Sequence, residues 1–409
     1  MSGAPGTAER VETAIAGLGA GPLTEEGVRA HVAPLFSRVL AAHRDRIYLA
    51  NHSLGRPLDA TVDDVRDGLA LWYAQLGDAW DPWNAEIGAW RERLAALMGA
   101  PRPDCVVPKT SAGQGLRAVL NSYGTVPRVV ATRGEFDSLD VILREYAQRG
   151  RIALSFVEAR PDGQFNADDL RATLGRGADL VVVSHVLFQT GQALPELPSI
   201  VGAAHAGGAR VLLDIYHSLG VVPVDLTDLN VDFALGGSYK YLRGGPGACY
   251  LYVQPRHLDA GLRTLDTGWF AKDSPFRYER PDPPRYARGG DAWLESTPAV
   301  LPFYQSRAGQ AFTLAIGVSR LRAHSLLLQQ RLVALLRTHG IDAHGGTADR
   351  GAFVVVRHRD VRAWADALAS RGIVTDARGE WLRLCPDVLT TGAEVERAAL
   401  ELAAIAGSR

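Results

Sequence analysis

Short apolar runs alternate with segments of helical period through the middle of this 409-residue chain. Val129–Thr132, Leu180–Ser184, Val211–Asp214, Phe233–Leu235 and Cys249–Val253 are apolar almost throughout, the pattern of strands covered on both faces. Between the second and third, Ser199–Gly207 predicts a crossover helix ending at Gly207-Gly208. Apolar strands separated by helices predict an α/β fold around a mostly parallel sheet.

The pattern breaks at Lys272–Arg288, where Pro275, Pro281, Pro283 and Pro284 lie among charges, as in a loop or linker. Beyond it, Phe303–Leu321 and Ser325–His339 have helical period. Phe353–Val356, Val361–Arg371 and Trp381–Leu384 then read as strand, helix and strand before a final helix. The expected organisation is an N-terminal helical arm over residues 1–50 leading into Ile47–Leu49, a large domain over 51–285, and a smaller C-terminal α+β domain over 286–409.

Composition narrows the classes of function. With 47% hydrophobic and 22% charged residues, the chain is an ordinary globular protein. A formal net charge of −1 gives no global field for nucleic acid or an anionic membrane, and the longest apolar runs fall short of a bilayer span. The three cysteines, Cys105, Cys249 and Cys385, match neither a disulfide framework nor zinc-ligand spacing. Glu9, Arg10 and Glu12 interrupt the stretch where a signal peptide needs an apolar core. A cytoplasmic protein with neither a nucleic-acid nor a membrane partner is expected.

The chemistry concentrates after the strand at Phe233. There Gly236-Gly-Ser-Tyr239-Lys240-Tyr-Leu-Arg-Gly-Gly-Pro-Gly247 places one lysine among glycines. A lysine just past a buried strand is partly desolvated, which lowers its pKa and makes it a better amine nucleophile. Taken alone, the segment reads at least as well as a hairpin with a solvated lysine. The strand ending in Asp214, followed by His217, adds a carboxylate at a strand end, where open α/β sheets bind ligands. Such an aspartate serves either as a helix cap or as the partner of a protonated pyridine ring. Asp214 and His217 lack the further ligands of a metal site, so no metal is expected.

Upstream, Lys109-Thr110-Ser111-Ala-Gly-Gln-Gly115 opens a helical run, Leu116–Ser122, and suits either an anion or a plain N-cap. Phe136, just beyond the first of the five strands, could cover a flat ring or pack in the core. Their order along the chain fits one cofactor.

These residues resemble the class V pyridoxal-phosphate enzymes, and within them the kynureninases. Leu-Asp214-x-x-His217-Ser, Asp232-Phe-Ala-x-Gly and Tyr239-Lys240-Tyr-Leu-x-Gly-Gly-Pro-Gly-Ala carry the likeness. Ser53-Leu-Gly, Trp83-Asn, Ser184-His-Val, Gly268-Trp269-Phe, Thr297-Pro and Asp376-x-Arg378 before Leu382-Arg383 extend it over nearly the whole chain. The resemblance implies fold type I, with pyridoxal 5′-phosphate held as a Schiff base by Lys240 and its ring nitrogen paired with Asp214. It further implies phosphate binding by Thr110, Ser111 and Tyr239, stacking by Phe136, and a pocket completed by Ser184 and His217. Tyr239 is also a candidate proton relay. Arg383 would clamp the carboxylate of a small amino-acid substrate, beside Ser53 and His52. Trp269 and Thr297 would reach the phosphate of a neighbouring subunit, making a homodimer with its site at the interface.

The implied activity is hydrolytic cleavage of the Cβ–Cγ bond of kynurenine or a related 2-amino-4-oxo acid. The alternative is an aminotransferase or β-lyase of the same class acting on another amino acid. The chain departs from the kynureninase pattern at several places. Gly-Asn-Ser-Leu-Gly becomes Asn51-His52-Ser53-Leu54-Gly55, and Leu139 stands where an aspartate is usual, with Asp137 and Asp140 nearby. A Gly-His pair becomes Ala271-Lys272, and a Pro-Leu-Tyr segment becomes Pro386-Asp387-Val388-Leu389. Cofactor-side positions are mostly kept, and substrate-side positions are altered.

Overall fold

A computed structural model describes residues 6–407. The first strand, β1 (Ile47–Tyr48), follows a run of short helices that begins at Thr7. Seven strands then build the main sheet: β2 (Val106–Lys109), β3 (Arg128–Thr132), β4 (Ala153–Val157), β5 (Leu180–Ser184), β6 (Arg210–Asp214), β7 (Phe233–Gly237) and β8 (Cys249–Val253). Their order is β2-β8-β7-β6-β5-β3-β4, and only β8 runs against the rest.

The five predicted strands are present, β5 and β8 with the predicted ends. Both β5 and β6 are almost wholly buried, because helices cover both faces of the sheet. The crossover helix between them spans Leu197–Ala206. Two strands escaped the apolar pattern: β4 alternates exposed and half-buried positions at the sheet edge, and β2 contains Pro108. Edge strands tolerate both features.

Chain order reverses between β3 and β5: β4 lies outside β3, and β5 to β7 proceed the other way. That reversal opens a crevice beyond the carboxyl ends of the strands. Parallel register puts Ser184 beside Asp214 and Asp214 beside Leu235, so the segments after β5, β6 and β7 emerge together at the crevice.

The smaller sheet has strands β9 (Ala343–His344), β10 (Val354–Arg357), β12 (Asp376–Arg378) and β13 (Trp381–Leu384), all antiparallel. Strand β11 (Ile373–Val374) pairs instead with β1, so Ile47 and Leu49 belong to the small-sheet core. The expected helix over 303–321 is interrupted. One helix ends at Ile316 and the next starts at Val318, with Gly317 between them at a φ of 88° that suits glycine. Trp293 and Phe303 pack in the main-sheet core.

Candidate active site

Eight of the residues singled out from sequence line one cavity of about 160 Å³: Thr110, Ser111, Phe136, Ser184, Asp214, His217, Tyr239 and Lys240. Lys240 lies three residues past β7 and is 5% exposed. Its Nζ sits 2.6 Å from His217 Nε2 and 5.3–5.6 Å from the ring centres of Phe136, Tyr216 and Tyr239. Burial lowers the pKa of the amine; Asp214 opposes that shift and Arg383 reinforces it.

Asp214 ends β6 and is buried, and its Oδ1 accepts from the Tyr216 N–H at 2.8 Å. Burial raises its pKa, while the Tyr216 N–H and the Lys240 charge pull it back. No helix begins at Asp214, so it does not serve as a helix cap. His217 is buried and held far below the usual imidazole range, by desolvation first and then by the Lys240 and Arg383 charges. It is neutral, and its Nδ1 has no partner. The Tyr239 phenol, pushed up to about 12 mainly by burial, keeps its proton at neutral pH.

The opening of the helix Ala112–Leu120 completes this side of the crevice. Ser111 is the N-cap and accepts from the Gln114 N–H at 3.1 Å. Thr110 donates from both its N–H and its Oγ1 to Gln114 Oε1, at 2.7 and 3.1 Å. Beneath them, the buried Lys109 Nζ joins Glu295 Oε1 at 2.7 Å and the Trp293 carbonyl at 3.0 Å. Backbone N–H groups and hydroxyls at a helix N-terminus suit a phosphate.

The three expected substrate-binding residues form a second group, beyond His217. Arg383 is 2% exposed on β13 and reaches the Phe188 carbonyl at 2.5 Å and Asp376 Oδ2 at 2.6 Å, leaving Nε without a partner. Ser53 Oγ donates to the same Asp376 oxygen at 2.5 Å. His52 is fully buried, with Nε2 3.7 Å from Asp376 and its ring 5.0 Å from Phe353.

Trp269 and Thr297 lie outside the cavity and bond to each other, Nε1 to Oγ1 at 3.2 Å. Asp137 is exposed and Asp140 pairs with Arg144 on the helix surface, so neither replaces the aspartate missing at Leu139. Sequence reasoning did not pick out Glu135, Tyr216, Cys249 or the engagement of Arg383 by Asp376. Tyr216 and Cys249 line the cavity, with the phenol oxygen 2.8 Å from Sγ. Glu135 is a buried acid directly before Phe136; a carboxylate so soon after a strand end was the available signal.

Comparison with known proteins places this geometry. The family model described as aminotransferase class V matches residues 59–381. The chain is a member of that family. A kynureninase of Deinococcus radiodurans is 30% identical over 369 residues, 85% of each chain. An uncharacterized aminotransferase of Bacillus subtilis, YcbU, is 25% identical over 89% of this chain and 95% of its own. Among solved structures, the cystine C-S lyase C-DES superposes with a TM-score of 0.80 at 20% identity, over 89% of this chain and 99% of that one.

The fold is therefore fold type I, and pyridoxal phosphate is the cofactor of this class V enzyme. The cavity fits that group by the chemistry of its donors. A buried amine meets an aldehyde, a buried carboxylate a basic ring nitrogen, an aromatic face a flat ring, and a helix N-terminus a phosphate. Among the described residues no cluster could hold a metal ion, and no helix is long and apolar enough to cross a membrane.

Proposed function

We propose that this chain is a kynureninase-type hydrolase cleaving the Cβ–Cγ bond of kynurenine or a related 2-amino-4-oxo acid. Support comes from relatives named kynureninase that match most of both chains. The observation that carries the chemistry is the buried Lys240 Nζ set 2.6 Å from a neutral histidine. Bound pyridoxal phosphate supplies the electron sink for negative charge at the substrate Cα.

The chain's own residues do the rest. Asp214 holds a carboxylate toward the ring nitrogen. Desolvation populates the free amine of Lys240, which takes the Cα proton as general base. His217 Nε2, hydrogen-bonded to Nζ at 2.6 Å, holds the amine in place. Tyr239 holds a phenolic proton at the cavity wall. Arg383, whose buried Nε has no protein partner, is the proposed clamp for the substrate carboxylate, with Ser53 and His52 alongside. The surface pair Trp269 and Thr297 faces a second copy in a homodimer.

The second reading is an aminotransferase or β-lyase, favoured by the likeness to YcbU. A desulfurase-like version requires a mobile thiol. Cys385 is buried, donates to the Ala352 carbonyl at 3.1 Å, and has its pKa raised to about 12 by burial. It is fixed and protonated.

Incubation of purified enzyme with L-kynurenine and 3-hydroxykynurenine tests the first reading. Release of alanine with the matching anthranilate is expected. Conversion of the cofactor to its pyridoxamine form by amino donors, without alanine from either substrate, would establish the aminotransferase of the second.

A further inference from the structure

Glu135 is 3% exposed, and no cation is among its hydrogen-bond partners. Instead it lies between two buried hydroxyls. Thr132 Oγ1 on β3 is 2.5 Å from Oε1, and Ser184 Oγ on β5 is 2.6 Å from Oε2. Thr132 Oγ1 also accepts from the Gly134 N–H at 3.2 Å.

Two placements of the hydrogens satisfy these contacts, one with an ionised and one with a neutral Glu135. With its acceptor side facing Gly134, the Thr132 hydroxyl donates to Oε1. With Glu135 neutral, its acid proton sits on Oε2, 2.6 Å from Ser184 Oγ, and donates to it, which releases the hydrogen of Ser184 toward the cavity that Ser184 lines. Were Glu135 ionised, Ser184 would spend its hydrogen on Oε2 and present only lone pairs to the cavity. An anion there would also sit near Asp214 with no counter-charge. Burial and Asp214 both favour the neutral acid, lifting its pKa to about 8 against the pull of the Ser184 and Thr132 hydrogen bonds.

We infer that Glu135 is a positioning residue which, as a neutral acid, turns the Ser184 hydroxyl into a donor toward the bound cofactor. It acts through Ser184, since Glu135 itself does not line the cavity. The inference rests on the cofactor and not on the choice between hydrolysis and transamination, so a negative kynurenine assay leaves it intact.

The test is titration of the apoenzyme with pyridoxal phosphate, followed by visible absorption, for wild type, E135Q, E135L, S184A and E135L/S184A. Thermal unfolding of each apoprotein checks the fold. A glutamine accepts from Thr132 with its carbonyl and donates to Ser184 with its amide, so E135Q should bind within about twofold of wild type. Losing one hydrogen bond weakens binding roughly fivefold to tenfold, so S184A and E135L should fall there, and the double variant no lower. Should E135L fail to fold, E135Q and S184A alone decide. An E135Q as weak as S184A would show that a carboxylate is needed and overturn the inference. An unaffected S184A, or additive losses in the double variant, would overturn it equally.

Discussion

The crevice has two sides built on different sheets. The cofactor side hangs on carboxyl ends of the main sheet: Thr110 after β2, Phe136 after β3, Ser184 and Asp214 closing β5 and β6, and Lys240 after β7. Register puts these ends at one level, through parallel pairs for β3, β5, β6 and β7 and through the antiparallel β8 for β2, so their mutual placement follows from the sheet. The proposed substrate side hangs on the small sheet, whose antiparallel register sets Asp376 opposite Arg383 and whose core takes in β1 through its pairing with β11. Ser53 comes from the segment after β1, while Asp376 and Arg383 come from β12 and β13, and the Ser53–Arg383 pair is separated by 330 residues. The bridge from Ala50 to Cys385, two residues past Arg383, draws Ser53 to them. The main sheet can keep the first side constant while the second is re-cut for a different substrate, which matches where this chain departs from the kynureninase pattern.

Removing the one group that the cofactor side exists to present should have the largest effect. Lys240→Ala should lower turnover by about a thousandfold or more, since general-base catalysis alone contributes about 10²–10⁴. Borohydride reduction of the wild-type holoenzyme, followed by peptide mapping, should place the pyridoxyl label on Lys240. A label on any other residue breaks the comparison at its strongest point.

Arg383→Ala probes the other side and should damage stability as well as binding. Arg383 and Asp376 have side chains only 3% and 9% exposed. Removing one partner of a buried ion pair costs about 3–5 kcal/mol when the other charge is orphaned; Asp376 keeps the half-exposed Arg378 at 2.9 Å, so the loss should fall below that range. Denaturant unfolding of the apoenzyme should show that loss, and KM should rise sharply. The double variant that also carries Asp376→Asn should recover much of the stability and none of the KM. Recovery of both would mean that Arg383 braces the fold and does not clamp substrate.

Ser53→Ala is milder. It deletes the 2.5 Å hydrogen bond to Asp376 but leaves Arg383 in place. A hydrogen bond to a charged group is worth about 1.5–3 kcal/mol, so a measurable fall in unfolding midpoint with kcat nearly unchanged is expected. An unchanged midpoint would detach Ser53 from the substrate side.

What could be read from sequence follows the same division. The apolar runs ending in Ser184 and Asp214 announce buried parallel strands, and function at their ends follows from a general property of such sheets. The pattern is silent where burial is partial: Ala153–Val157 pairs as an edge strand without an apolar signature. A helical period also continues smoothly across Gly317, although the backbone turns there. Asp376 was visible as a neighbour of Arg383 in sequence, but nothing local reveals that its carboxylate engages the guanidinium. Glu135 was passed over because a charged residue beside a loop phenylalanine ordinarily faces water. Its burial depends on hydroxyls supplied by two separate strands.

Glu135 also gives the smallest and sharpest test, because its ionisation should register in the stability of the apoenzyme. The ordinary pKa of 4.5 applies to the unfolded chain, and burial raises the folded value to about 8. Between those values the native state binds the extra proton, so stability contributed by the neutral acid is fully present below about pH 4.5 and is lost as pH rises through about 8. Glu135→Gln removes that titration while keeping the hydrogen-bonded shape. Relative to the variant, wild-type apoenzyme should therefore lose stability steadily from pH 5 to pH 8.5, as read by urea unfolding midpoints. Burial of Lys240 has the opposite sign: its depressed pKa makes the unfolded chain the better proton binder, so its own contribution grows with pH. Comparing wild type with Glu135→Gln cancels that second slope, since Lys240 is present in both. A constant difference across the range would mean that Glu135 is ionised in the folded protein, and the proton assigned to Oε2 would have no place.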